Sequence, residues 1–246
     1  MAVYTEISDQ ELKSFVALYK IGDVLSCKGI AEGVENSNYL LQTTQGTFIV
    51  TLYEKRVSIG ELPFFLGLME HLAVQNFPSP TPVRGRDGEM FRTLCGKPAA
   101  ITTFLPGLCP KSISLNHCEQ LGIATAKMHL ATIGYNFERK NQLGRSGWSN
   151  LFGQVFDKAK NSQLDLCNII REELVYLDRN WPSNLPKGII HGDLFPDNVF
   201  FQDKLISGII DFYFACSGSY AYEIAICLNA WCFENDISFN VSKAKN

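Results

Sequence analysis

The sequence predicts an α+β fold of two lobes, a small β-rich lobe over residues 1–105 and a helical lobe over 106–246. Three observations predict it. Strand-like runs dominate up to Leu105, helix-periodic runs dominate after Gly107, and Pro106-Gly107 punctuates the boundary between them. A chain of 246 residues is long enough for one large core or for two lobes with a cleft between them.

The elements follow in order. Ser8-Asp9-Gln10-Glu11 has the Ser and Glu spacing of a capping box and starts a short helix to about Lys20. Strands are expected at Val24–Ile30, Ser37–Thr43 and Thr47–Tyr53, the last two joined by a Gln45-Gly46 turn. Leu62, Phe65, Leu66, Met69 and Leu72 place a helix over Glu61–Asn76, which the proline cluster FPSPTP stops. Arg86-Asp87-Gly88 reads as a hairpin turn between short strands, and Pro98–Leu105 as a buried strand. Helices are then expected at His117–Ile133, Gly147–Lys160, Asn168–Asn180 and, last, Tyr220–Phe233.

Bulk properties narrow the function. Lys+Arg of 22 against Asp+Glu of 25 gives a net charge of −3, with no basic stripe of the kind that binds nucleic acid. No stretch approaches the ~20 apolar residues of a membrane span. The amino terminus, MAVYTEISDQELKSF, lacks the basic-then-apolar order of a secretion signal, so a cytoplasmic protein is expected. The 8 cysteines are scattered with no C-x-x-C pair and read as reduced core fillers.

The chemistry concentrates in HGDLFPDNVFF (191–201) and Ile209-Ile210-Asp211-Phe212-Tyr213. Apolar residues follow Asn198 and precede Asp211, so a polar loop, a strand, a turn at Gln202-Asp203-Lys204 and a returning strand are expected. Such a hairpin holds one carboxylate near an attacking hydroxyl while an amide and a second carboxylate grip a divalent metal. Phosphoryl transfer from ATP needs those parts, because its barrier falls through positioning and charge neutralisation. Asp193 is the expected catalytic base; Asn198 and Asp211 are hard oxygen donors suited to Mg2+. His191 belongs to the same catalytic group, either as a brace of the loop or as a metal ligand, and the brace is favoured because no second His lies at ligand spacing. Asp197 reads as a loop brace.

On the β-rich side, Gly29 and Gly33 flank a turn between strands whose backbone N–H groups suit phosphate oxygens, with Asn36 and Ser37 as further donors. Thr103, Phe104 and Leu105, leaving the buried strand, offer backbone groups and apolar surface to adenine.

With those residues in hand, HGDLFPDN, IDFYFA and the helix around Leu121–Met128-His129 resemble the aminoglycoside phosphotransferase/choline kinase-like superfamily, whose fold is protein-kinase-like. More narrowly, GIAEGVENSNYLL, FIVTLYEKR, LPFFLGLMEHL and AICLNAWCFE resemble its homoserine kinase branch. The resemblance runs nearly end to end. It implies ATP-dependent phosphorylation of the side-chain hydroxyl of L-homoserine, an early step in making threonine, with Asp193 as base and Asn198 and Asp211 on Mg2+. Choline, a sugar amine or an aminoglycoside are the alternative acceptors, and a nucleotide-binding protein without activity is the alternative from another class.

Two departures stand out. The superfamily's usual third-strand Lys is Thr51 here; Lys55 and Arg56 are candidate phosphate-facing charges or a solvated strand end, and Glu61 or Glu70 would face the site. The branch also continues past the NAWCFE helix, so the helical lobe is expected to be short and less stable. For the acceptor, Arg139, Arg145 and Glu223 suit the charges of an amino acid, and Tyr213, Asn229 and Trp231 suit a pocket lining.

Overall fold

The computed structural model describes residues 5–31, 36–54, 57–159, 161 and 163–245. Helix α1 (Asp9–Val16) begins at the expected box: the Ser8 hydroxyl accepts from the Glu11 N–H, and the Glu11 side chain accepts from the Ser8 N–H. It ends at Val16, short of Lys20. The Arg86 side chain donates to the Ala17 carbonyl and the Arg86 N–H to that of Leu18, giving those groups non-helical partners.

Strands β1 (Val24–Gly29), β2 (Ser37–Thr43), β3 (Gly46–Leu52), β4 (Phe91–Leu94) and β5 (Lys97–Thr103) form one antiparallel sheet in the order β1-β2-β3-β5-β4. Register decides its two faces. Ser37 pairs with Leu52 and Tyr39 with Val50, so these side chains share the face that α1 covers with Leu12, Phe15 and Val16. Asn38 pairs with Thr51 on the opposite face. The Arg86–Gly88 turn exists, closed by the Gly88 N–H on the Gly85 carbonyl, but no hairpin flanks it. The hairpin in this region joins β4 to β5 instead, through Cys95 and Gly96, both at positive φ (50° and 73°).

Helix α2 (Leu62–Val74) follows a single 3-10 turn over Ile59–Glu61 and buries the apolar stripe read from the sequence. It belongs to the chain's first half yet packs into the second core, against Leu121, Met128, Leu194, Val199 and Trp231. The two halves therefore share hydrophobic area, which couples them more tightly than a bare hinge.

The helical half holds α3 (Leu115–Ala131), α4 (Arg145–Ala159), α5 (Leu164–Asn180), α6 (Tyr220–Trp231) and α7 (Val241–Lys245). Ser114 caps α3, whose first residue, Leu115, lies two residues before the expected start. Ribbon β7 (Val199–Gln202) with β8 (Leu205–Ile209) is the expected hairpin, turning at Asp203 in the left-handed region. A second ribbon pairs β6 (Lys187–Ile190) with β9 (Cys216–Ser219). Its Cys-Ser-Gly-Ser strand carries no apolar alternation, and only the partner strand makes it a strand. Helix α6 is not the last element, since α7 follows and its buried Lys243 pairs with Glu234 at 2.8 Å.

The connector between the halves is laced to the hairpin. Leu108 and Phe201 exchange two backbone hydrogen bonds, and the Ser207 hydroxyl donates to the Pro106 carbonyl. Gly107 sits at φ 141° with Ser207 Oγ only 2.3 Å from where a Cβ would lie, so glycine is required there. Among the described residues no helix is long and apolar enough to cross a membrane, and the 8 cysteines are free thiols.

Candidate active site

Strand β6 ends in Ile190, fully buried, and delivers His191 into the interior at 0% exposure. The His191 Nδ1 accepts from the Asp193 N–H (3.3 Å), so its Nε2 carries the proton and donates to the Ile210 carbonyl (2.9 Å). Burial pushes its pKa down, outweighing the charges of Glu223 and Asp193 and the Ile210 bond, and this neutral tautomer matches the brace reading. Through one ring the start of the loop is tied to the end of β8.

Gly192 is held at φ 78°, and a Cβ there would sit 3.0 Å from the Phe214 carbonyl oxygen. Its N–H donates to Glu223 Oε1 (2.8 Å), whose Oε2 meets His129 Nε2 (2.8 Å); His129 in turn stacks on Tyr220. A fully buried carboxylate thus anchors the loop from below.

The three motif residues lie at one end of the hairpin. A 3-10 turn over Pro196–Asn198 curls the chain back so that Asn198 Nδ2 donates to the main-chain carbonyl of Asp193 (2.8 Å) and to its Oδ2 (2.9 Å). The Ile210 N–H donates to the Asn198 carbonyl (3.0 Å), and Asp211 is the next residue along the chain. Asp211 is exposed and left-handed (φ 63°, ψ 56°) between the buried anchors Ile209 and Phe212. A non-glycine residue held in that region between two anchors is a local cost offset by the surrounding packing. Asp197 is exposed and its carbonyl accepts from the Cys109 thiol.

Tyr213 hydrogen-bonds Tyr53 across the halves (3.0 Å between hydroxyls). Burial pushes the Tyr213 pKa up to about 12, the Tyr53 bond works against this, and the nearby Asp211 charge adds to it. Thr51 also reaches Tyr213, so the sheet face carrying Thr51 and Asn38 looks toward Asp211. Ser37 looks the other way. Its hydroxyl donates to Glu54 Oε1 (2.6 Å), and Asn36 Oδ1 accepts from the Glu54 N–H, while Lys97 pairs with the same carboxylate. The side chains of Asn36 and Ser37, expected as phosphate donors, are thereby engaged in holding the strand end; Asn38, unremarked in the sequence, has the cleft-facing register.

Gly29 closes β1, exposed and paired with Tyr39. Gly33, Lys55 and Arg56 lie outside the described residues. Thr103 ends β5 with its hydroxyl accepting from the Thr81 N–H; Phe104 is exposed beyond it, and Leu105 packs on Gly208 of the hairpin.

The expected acceptor pocket needs correction. Glu223 and Trp231 do not line one: both Glu223 oxygens are spent inside, and the Trp231 Nε1–H donates to the Leu194 carbonyl (2.7 Å) at 1% exposure. Asn229 lies on the outer surface of α6 and donates to the Ala225 carbonyl, and Arg145 lies on the exposed start of α4. Tyr213 does line a cavity of about 110 Å3, together with Val57, Glu61, Arg139, Gln142 and Phe214. There Arg139 Nε donates to Glu61 Oε1 (2.7 Å). Glu70 pairs with Arg84 away from this cavity.

The site could take a single divalent ion. The Asn198 Nδ2 is committed to Asp193, which leaves its Oδ1 as the oxygen for a metal, and Asp211 adds an exposed carboxylate. Among the described residues no cluster of three or more His, Cys, Asp or Glu could hold a metal by itself. Two protein oxygens fit Mg2+ shared with nucleotide phosphates, which keeps few protein ligands.

The profile of the phosphotransferase enzyme family matches residues 26–245. The chain belongs to that family. Relatives named homoserine kinase include one from Paramagnetospirillum magneticum, 59% identical over 100% of this chain and 77% of the relative. Another, from Bradyrhizobium sp., is 55% identical over 100% of this chain and 75% of its own length. Among solved structures, a spectinomycin phosphotransferase in complex with ADP and spectinomycin superposes with a TM-score of 0.72 at 12% identity, over 90% of this chain and 74% of that one. An amicoumacin kinase in complex with AMP-PNP and Ca2+ gives 0.70 at 16% identity, over 91% and 69%. At such identities the superpositions carry the kinase-like α+β fold of this phosphotransferase, with its β-sheet first half and helical second half.

Proposed function

We propose that this phosphotransferase moves the terminal phosphoryl group of ATP to the side-chain hydroxyl of L-homoserine, giving O-phospho-L-homoserine on the route to threonine. The observation that carries the reading is the Asn198 amide clamping Asp193 at the hairpin end that also bears Asp211. Relatives named homoserine kinase, 54–59% identical over 100% of this chain and 77% of their own length, support the choice of acceptor.

In this reading residues 1–105 hold the nucleotide and 106–246 carry the catalytic groups, in a cytoplasmic protein. Asp193 accepts a hydrogen bond from the acceptor hydroxyl, orients its oxygen toward the terminal phosphorus, and takes the proton as the new P–O bond forms and the bond to ADP breaks. Asn198 Oδ1 and Asp211 would hold Mg2+, which when bound neutralises phosphate charge. His191 and Glu223 keep Asp193 in place without touching substrate. Backbone groups near Gly29 and Asn36, with Asn38 and Thr51 on the cleft face, border the phosphates, and Thr103–Leu105 border the base.

The test is phosphate transfer from magnesium-ATP to L-homoserine, run beside choline and kanamycin. The reading expects turnover with homoserine well above the others. Preference for choline or kanamycin would replace the acceptor, and no turnover with any of the three would replace the enzyme reading.

A further inference from the structure

Resting on that reading, we infer that the Glu61–Arg139 ion pair is the acceptor's amino-acid clamp: Arg139 takes the α-carboxylate and Glu61 the α-ammonium. The pair lines the cavity beside Tyr213 and Phe214. Phe214 places this cavity near the reacting groups, since its carbonyl lies against Gly192, the residue before Asp193.

The guanidinium is pre-set for this. It lies over the Phe65 ring at 4.8 Å, its Nε donates to Glu61, and its Nη1 donates to the Ala215 carbonyl (3.2 Å). Among the described residues Nη2 donates no hydrogen bond, so a planar fork held on two sides still offers donors to a carboxylate. Only 15% of the Arg139 side chain and 22% of that of Glu61 are exposed, which strengthens any charge contact made there.

Glu61 is equally fixed. Its Oε2 accepts from the Ser58 hydroxyl and from the Ser58 N–H (3.4 Å), and its Oε1 accepts from both Arg139 and the Gln142 amide (3.2 Å). These four contacts fill the about four acceptor directions of a carboxylate, so an ammonium enters by displacing the neutral Gln142 amide or a Ser58 contact, exchanging a neutral donor for a charged one. A zwitterion laid along the pair finds opposite charge at both ends. Neither choline, which has no carboxylate, nor an aminoglycoside, which is a polycation, presents that pattern.

The experiment is steady-state kinetics at saturating magnesium-ATP with wild type, Arg139→Met, Arg139→Lys and Glu61→Gln. Three acceptors are compared: L-homoserine, 3-aminopropan-1-ol (no carboxylate) and 4-hydroxybutanoate (no ammonium). Each analogue is scored as a competitive inhibitor where turnover is too slow to read. Arg139→Met should raise the KM for homoserine about 10- to 100-fold and erase most of its preference over 3-aminopropan-1-ol, with Arg139→Lys between. Glu61→Gln should instead erase the preference over 4-hydroxybutanoate. Equal losses with all acceptors, or a rise in the KM for ATP alone, would overturn the clamp and leave the kinase reading standing. Wild type inactive on homoserine overturns both. If Arg139→Met fails to fold, judged by its melting, Arg139→Lys and Glu61→Gln decide the matter by the same ratios.

Discussion

The side-chain amide of Asn198 donates to Asp193 twice, at 2.8 Å to its main-chain carbonyl and at 2.9 Å to its carboxylate. One amide therefore sets both the backbone and the side chain of the proposed base. Replacing Asp193 with Ala should lower kcat by about 10²- to 10⁴-fold. Binding of a non-hydrolysable ATP analogue should change only a few-fold, measured by titration calorimetry. Asn198→Ala should also depress kcat, and it should raise the Mg2+ concentration needed for half-maximal rate.

Asp211 stands exposed between the buried Ile209 and Phe212, so its carboxylate can be altered with little loss of packing. Asp211→Asn should leave thermal unfolding nearly unchanged while sharply lowering turnover at limiting Mg2+. Excess EDTA should abolish turnover in wild type, and added Mg2+ should restore it. Turnover that survives EDTA would exclude a metal role for this pair.

Glu223, at 0% exposure, accepts from the Gly192 N–H and meets His129. Glu223→Ala orphans a buried donor and should destabilise the fold by about 1–3 kcal/mol or more, read by urea unfolding. Glu223→Gln keeps the acceptor for Gly192 and should cost less. If both variants were as stable as wild type, the anchoring role would fall.

Trp231 contributes through shape and through one bond to the Leu194 carbonyl. Trp231→Phe removes that bond from a buried site and should cost about 1–3 kcal/mol. Trp231→Ala adds a cavity and should cost about 3–5 kcal/mol. Both are measurable as shifts of the urea midpoint.

His191 makes stability depend on pH in a stated direction. Burial holds its folded pKa below the ordinary 6.5, so below pH 6.5 the unfolded chain binds a proton that the folded chain refuses. Stability is full above that value and should fall as pH drops through it. For Glu61, partial burial pushes the pKa up, but the Arg139 bond and charge and the Ser58 contacts outweigh it, and the net shift is downward from 4.5. Its contribution is present above pH 4.5 and should be lost only below it. Melting temperatures followed from pH 8 to about pH 2 should thus decline in two stages, and the upper stage should flatten in His191→Asn.

Sequence alone determined the elements whose signal is local. The Ser8–Glu11 box, the β2–β3 hairpin, the stripe of α2 and the β7–β8 hairpin each depend on neighbours within a turn or a ribbon. The motif residues 193, 198 and 211 were legible for the same reason, since one loop and one hairpin bring them together. Tertiary structure decided the rest. β9 is a strand only because β6 lies beside it, and Glu223 and Trp231 are buried only because α6 turns them under the loop. Ser37 points away from the cleft because register with Leu52 puts it on the α1 face. The Glu61–Arg139 pair joins residues far apart in the chain, and no periodicity encodes a contact between them. Local hydrogen bonding and side-chain alternation are written in short windows of sequence; which face meets which partner is settled by packing over the whole chain.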